Sequence, residues 1–212
     1  MVQPTTLGLA VNNENARKIL EISLRTGALL RGDFTLASGK KSKHYFDGKK
    51  VTLSADGAYW VGKAVFDEIA EAGVDSVGGL TMGADPIATA TSLVSYLEKK
   101  PIQAFIVRDQ SKTHGTMKEI EGYCPRGARV AIVDDVITGG GSIQKAINIV
   151  QLAGCKVVKV ITLVDRHDGG SDKLRRTGLE FTAFIDLWPS GEVSVGGTSE
   201  VTSSLGERLL PR

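Results

Sequence analysis

Residues Val130 to Ser142 read VAIVDDVITGGGS, and no other stretch constrains the fold so tightly. Val130, Ala131, Ile132 and Val133 have the length and β-branching of a strand buried on both faces, as parallel strands in α/β proteins are. Asp134 and Asp135 then stand at its carboxyl end. Apolar residues at Ile143, Ala146, Ile147 and Val150 carry a helical period, with Ser142 as the expected N-cap and Gly154 just past the end. Buried strand, glycine turn and amphipathic helix in direct succession define an α/β chain.

The turn in this unit is suited to phosphate. Backbone N–H groups at a helix N-terminus lack intrahelical partners, and the helix dipole adds partial positive charge there. Gly139, Gly140 and Gly141 allow close backbone approach, while two adjacent carboxylates can accept hydrogen bonds from a vicinal diol. Phosphate beside a diol describes a ribose phosphate. The plainer reading is a glycine-rich α/β turn next to two solvated acids. Two other phosphate motifs fit poorly: no GxxxxGK[ST] occurs, and the turn is not GxGxxG followed by an acid some twenty residues on.

A length of 212 residues suits one α/β domain spanning 1–212 with a sizeable core. Lys and Arg number 26 against 24 Asp and Glu, a net charge of +2 that gives no argument for nucleic acid or an acidic membrane as partner. Cys124 and Cys155 are the only cysteines, with no CxxC, so neither a disulfide framework nor a structural zinc site is suggested. No signal-peptide pattern and no long apolar run is present, and the expected compartment is the reducing cytoplasm.

In chain order, Asn12 to Leu24 reads as a helix closed by Thr26-Gly27, and Phe34 to Leu53 as a small antiparallel appendage with five lysines. That lysine cluster is either a solvated β face or a lid that, with Tyr45-Phe46, closes over an anionic planar substrate. A helix over Ser54 to Ala72 and a strand over Ser76 to Leu80 follow. Next comes a helix to about Lys99, with Pro86 as its first residue behind an Asp85 cap, then a strand over Ile102 to Val107. Arg108 to Gly122, RDQSKTHGTMKEIEG, has almost no apolar residues and reads as a functional lid or as plain disorder. Lys112 and His114, two residues apart, would share one face of an extended chain and could serve a leaving pyrophosphate. Strand Val157 to Val164 ends in DRHDGG, which brings Arg166 to the same rim as Arg108, Asp134 and Asp135. His167 reads as a surface loop residue rather than a catalyst. A strand is expected at Phe181 to Leu187, and the rest of the tail carries no readable role.

The thirteen residues from Val130 to Ser142 resemble, position by position, the PRPP-binding signature of type I phosphoribosyltransferases. With the Arg108, Lys112, His114-Gly115 loop, FTLASGKKSKHYFDG and VDRHDGG, the chain looks like an orotate phosphoribosyltransferase over roughly residues 15 to 190. The resemblance implies a mostly parallel sheet flanked by helices with a small β-containing hood at about 28–54, to which part of the C-terminal segment could add. It further implies transfer of 5-phosphoribosyl from PRPP to N1 of orotate, giving orotidine 5'-monophosphate and pyrophosphate, with Mg²⁺ held mainly through PRPP rather than by side chains. By the same resemblance Arg108, Lys112 and His114 contact pyrophosphate in catalysis. Asp134, Asp135, Val136, Ile137, Thr138, Gly139, Gly140, Gly141 and Ser142 hold ribose 5-phosphate, and Thr138 and Arg166 contact orotate. A homodimer with the loop shared between subunits is implied too.

Three departures remove expected positive charge: Asp109 stands where many members carry a second loop lysine, Ala37 where many carry a lysine, and TMGADP where many have YKG. Another nucleobase as acceptor, or a PRPP-sensing regulator of the same fold, are the alternatives. Against the regulator stand the near-neutral charge and the complete Arg, Lys, His loop that only turnover needs.

Overall fold

A computed structural model of the chain describes residues 13–35, 39, 41–109 and 119–196. Ala37, Lys112 and His114, with most of the expected lid, lie outside the described residues.

Helix α1, Asn13–Arg25, leads into a two-stranded hairpin of β1, Leu29–Thr35, and β2, Lys41–Phe46. The appendage is therefore only partly β, because Lys49–Thr52 forms a short helix, α2, ahead of α3, Ala55–Ile69. Ser54 caps α3 by accepting from Gly57 N–H at 3.2 Å. The α/β rhythm then runs β3, Ser76–Leu80; α4, Asp85–Leu97; β4, Gln103–Val107; β5, Ile120–Gly122; β6, Arg129–Ile137; α5, Gly141–Leu152; β7, Lys156–Asp165; α6, Gly170–Arg176; β8, Glu180–Leu187; and β9, Val193–Val195.

Seven strands form one sheet in the order β5-β4-β3-β6-β7-β8-β9, antiparallel only at its two outer pairs. Along β6 the side chains alternate: Ala131 and Val133 join the core under α1, α3 and α4, and Val130 and Ile132 the core under α5 and α6. Glu68, which breaks the apolar face of α3, meets Lys159 of β7 at 2.6 Å with both side chains 8% exposed, so each buried charge has a partner.

Four expectations need correction. Asp134 and Asp135 lie inside β6 rather than beyond it, because β6 keeps pairing with β7 as far as Ile137↔Asp165. Ser142 is not the N-cap of α5; Gly140 is, at φ +81°, without a side-chain cap. Likewise Asp85 is the first residue of α4, with Ala84 as cap, and its carboxylate accepts instead from Thr81 Oγ1 at 2.7 Å. The polar segment after β4 is also not wholly irregular, since Ile120–Gly122 pairs back antiparallel onto β4. Among the described residues no helix is long and apolar enough to cross a membrane.

Candidate active site

From β3 the chain crosses through α4 to one side of the sheet, and from β6 through α5 to the other, so strand order reverses between β3 and β6. Ligands of open α/β sheets sit at such a point, beyond the strands' carboxyl ends. The parallel pairing of β3 with β6 covers only Ser76 to Gly78 against Val130 to Ile132, which leaves the last five residues of β6 bordered by β7 alone. Asp134 and Asp135 occupy that opening.

Asp134 is 8% exposed, and its Oδ1 accepts Asp135 N–H at 2.9 Å. Burial, and then the adjacent Asp135, push its carboxyl up to about 7. The pair is held between two glycine backbones. A Cβ on Gly83 would lie 2.2 Å from Asp134 Oδ1, and one on Gly48 would lie 2.5 Å from Asp135 Oδ2. Lys49 adds a cation 3.8 Å from Asp135 Oδ2. Neither glycine nor Lys49 stands out in the sequence, because each approaches the acids from a remote part of the chain.

Beyond Ile137, Thr138 O accepts from Gly170 N–H at 3.0 Å, and Gly140 packs near the Gly170 backbone, so the start of α6 braces the turn. A Cβ on Gly139 or Gly141 would meet nothing within 4 Å, which leaves open space over the N-terminus of α5. Lys173 of α6 donates to Gly139 O at 3.4 Å and sets an ammonium beside this turn. Sequence reading missed Lys173, since α6 has too few periodic residues to announce itself.

Arg166 follows β7 on the same rim, its N–H donating to Ile137 O at 3.1 Å. One Nη2 reaches the hairpin, at 2.7 Å from Ser42 Oγ and 3.3 Å from His44 O, while buried Nε has no partner among the described residues. Burial lowers the Arg166 pKa from its usual value, against an opposing pull from Asp168. His44, 2% exposed, is held below its ordinary value by burial and then by Arg31 and Arg166. The expected aromatic pair is split by strand alternation: Phe46 enters the core and Tyr45, 44% exposed, packs on Phe34 with ring centroids 5.8 Å apart.

At the root of the expected lid, Arg108 N–H donates to Glu119 O at 2.8 Å, and its Nη1 pairs with Glu121 at 2.9 Å. Asp109, the acid at an expected lysine position, binds Lys145 of α5 at 2.8 Å. His167, expected on the surface, has its side chain only 18% exposed and bonded to Asp186.

A switch-point cradle of paired acids, a glycine turn on a helix N-terminus and a neighbouring arginine defines a type I phosphoribosyltransferase, and the model of the Phosphoribosyl transferase domain family matches residues 63–186. Within that class the chain belongs to the orotate phosphoribosyltransferases. It is 44% identical to the orotate phosphoribosyltransferase of Nostoc sp. over 81% of this chain and 82% of that one. It is 40% identical to that of Aquifex aeolicus over 73% and 84%. Among solved structures, the Mycobacterium tuberculosis orotate phosphoribosyltransferase in complex with PRPP superposes with a TM-score of 0.66 at 32% identity, covering 82% of this chain and 96% of that one. The adenine phosphoribosyltransferase of Rhodothermus marinus, at 17% identity and a TM-score of 0.56, shares the fold alone.

Proposed function

We propose that the cradle binds PRPP and transfers its 5-phosphoribosyl group to N1 of orotate, releasing pyrophosphate and orotidine 5'-monophosphate for pyrimidine biosynthesis. The observation that carries this reading is the buried Asp134 with the half-buried Asp135 beside the open N-terminus of α5, and Arg166 on the adjoining strand end. The acids accept the ribose 2- and 3-hydroxyls. Val136 to Ser142 hold the 5-phosphate, chiefly by backbone N–H groups, and Lys173 supplies charge there. Thr138 and Arg166 take orotate, whose planar carboxylate suits the unpartnered Arg166 Nε and its neighbouring Nη.

Substitution at C1 of the ribose passes through a state with oxocarbenium character and requires no protein nucleophile. Orotate N1 is readily deprotonated, so no side chain is assigned as general base. Arg108, Lys112 and His114 neutralise charge growing on the departing pyrophosphate, and closure of their loop excludes water. For Arg108 this means exchanging Glu121 for the diphosphate.

Mg²⁺ arriving with PRPP would supply further charge neutralisation when bound. The cradle suits such a dication: Asp134 is buried and directly abuts Asp135, so holding both acids ionised is costly, and nearby positive charge would lower that cost. The α3–α4 face, where Leu53, Tyr59, Leu93 and Leu97 are 49% to 72% exposed around a cleft of about 610 Å³, supports a homodimer. Cys124 and Cys155 are free thiols, in keeping with a cytoplasmic location.

Loss of orotate absorbance on mixing protein, PRPP and Mg²⁺ tests the reading. Consumption of orotate should require both PRPP and Mg²⁺; turnover of hypoxanthine or adenine in its place would refute it.

A further inference from the structure

The residue after Arg166 is held more firmly than a loop position requires. His167 has φ +50°, in the left-handed region that side chains with a Cβ seldom adopt, and only Lys99 shares that property among the described non-glycine residues. A conformation of this kind persists where surrounding contacts over-determine it. Four do so here. Its N–H donates to Oδ1 of the fully buried Asp165 at 2.8 Å, and its Nδ1 faces Oδ2 of the same carboxylate at 3.8 Å. Nε2 meets Asp186 Oδ1 at 2.8 Å, and the ring lies flat on Trp188, with centroids 3.6 Å apart and planes 9° from parallel.

Asp186 and Trp188, two residues apart, present the same face of the chain, and Asp186 is the register partner of Asp165. Trp188 is fixed in turn: its Nε1 donates to Ser194 Oγ at 3.0 Å and its N–H to Glu192 O at 3.0 Å. The C-terminal strands thus grip His167 from one side, while Arg166 N–H is anchored to Ile137 on the other. Between these grips Arg166 has little freedom at its Cα.

We propose that His167, gripped by Asp165, Asp186 and Trp188, is a positioning residue that sets orotate affinity by aiming the Arg166 guanidinium. The proposal rests on the reading of Arg166 as the orotate carboxylate partner. Misdirection of a bidentate contact by about 1 Å is enough to cost one to two orders of magnitude.

The test compares His167→Ala, His167→Gly, Trp188→Leu and Trp188→Phe with Arg166→Gln, reading orotate KM, kcat, the PRPP Kd without orotate, and Tm. His167→Ala and Trp188→Leu should raise orotate KM roughly tenfold and leave the PRPP Kd unchanged. Trp188→Phe, which keeps a ring to stack on, should stay near wild type. His167→Gly removes the backbone strain but also the ring, and its orotate KM should remain raised. Full recovery in His167→Gly would overturn the grip as the cause, as would a lowered Tm with unchanged orotate KM in both His167→Ala and Trp188→Leu. Should Trp188→Leu fail to fold, Asp186→Asn, which nearly conserves shape, carries the same expectation. An Arg166→Gln variant with unaltered orotate KM would instead sink the reading of Arg166 itself, whereas a raised KM there beside silent His167 variants removes only the positioning role.

Discussion

Buried against Asp135, the Asp134 carboxyl has its pKa moved from 3.8 to about 7, which makes it a stability term as well as a ligand. The folded chain binds this proton more tightly than the unfolded chain does, so stability is greatest below the unfolded value. It is lost as pH rises from about 4 to about 7, at no more than about 1.4 kcal/mol per pH unit for one proton. Asp134→Asn keeps the shape and removes the titration. Unliganded Asp134→Asn should therefore be more stable than wild type at pH 8, with a flatter loss of stability between pH 4 and 7, as measured by urea denaturation. The same variant should lose roughly ten- to a hundredfold in kcat/KM for PRPP, since charge-assisted hydrogen bonds are worth about 1.5–3 kcal/mol. Parallel pH profiles for the two proteins would show that Asp134 does not carry the shift. Arg166→Gln should raise orotate KM strongly and leave the PRPP Kd nearly unaltered, with lysine a poor substitute because a point charge lacks the two parallel bonds. Weakened PRPP with unaffected orotate would reverse the assignment of the two subsites.

The unit of β6, turn and α5 was the most legible element in the sequence, because a buried parallel strand and an amphipathic helix write different periods on the chain. Its boundaries were less so. Pairing with β7 carries β6 through both acids, and that register depends on a partner strand whose residues lie elsewhere in the sequence. The grip of Gly48, Gly83 and Lys49 on the acids, Lys173 at the turn and Trp188 on His167 were illegible for the same reason: they are contacts between elements, with no local pattern. The glycines separate the two kinds of information. Gly139→Ala meets open space in the free protein, so Tm should hold while PRPP affinity falls if phosphate packs onto that backbone. Gly83→Ala, with its Cβ 2.2 Å from Asp134 Oδ1, should instead lower both affinity and Tm. Calorimetric binding of PRPP alongside thermal melts distinguishes them, and unchanged PRPP affinity in Gly139→Ala would remove the phosphate from this turn.

At the scale of the molecule, the α3–α4 surface exposes Leu93 at 61%, Tyr96 at 72% and Leu97 at 64%, a contiguous apolar face of the sort that soluble proteins cover with a partner. Placing a charge there by Leu93→Asp with Leu97→Asp should yield monomers on sedimentation, because a buried unpaired carboxylate opposes association. These substitutions touch neither Asp134 nor Arg166. Loss of activity in the monomer would therefore mean that a site needs a group from the second subunit. Complementation identifies that group. Lys112→Ala subunits keep the acids and lack the lid lysine, Asp134→Asn subunits the reverse, and each alone should fall well below a quarter of wild-type activity. If the lid serves the neighbouring site, a mixed dimer contains one site with both groups intact. Equal mixing with free exchange should then restore about a quarter of wild-type activity, since half the dimers are mixed and each has one working site. Exchange is followed independently by native mass spectrometry of the two variants. Mixed dimers formed without any return of activity would show that Lys112 works in its own subunit.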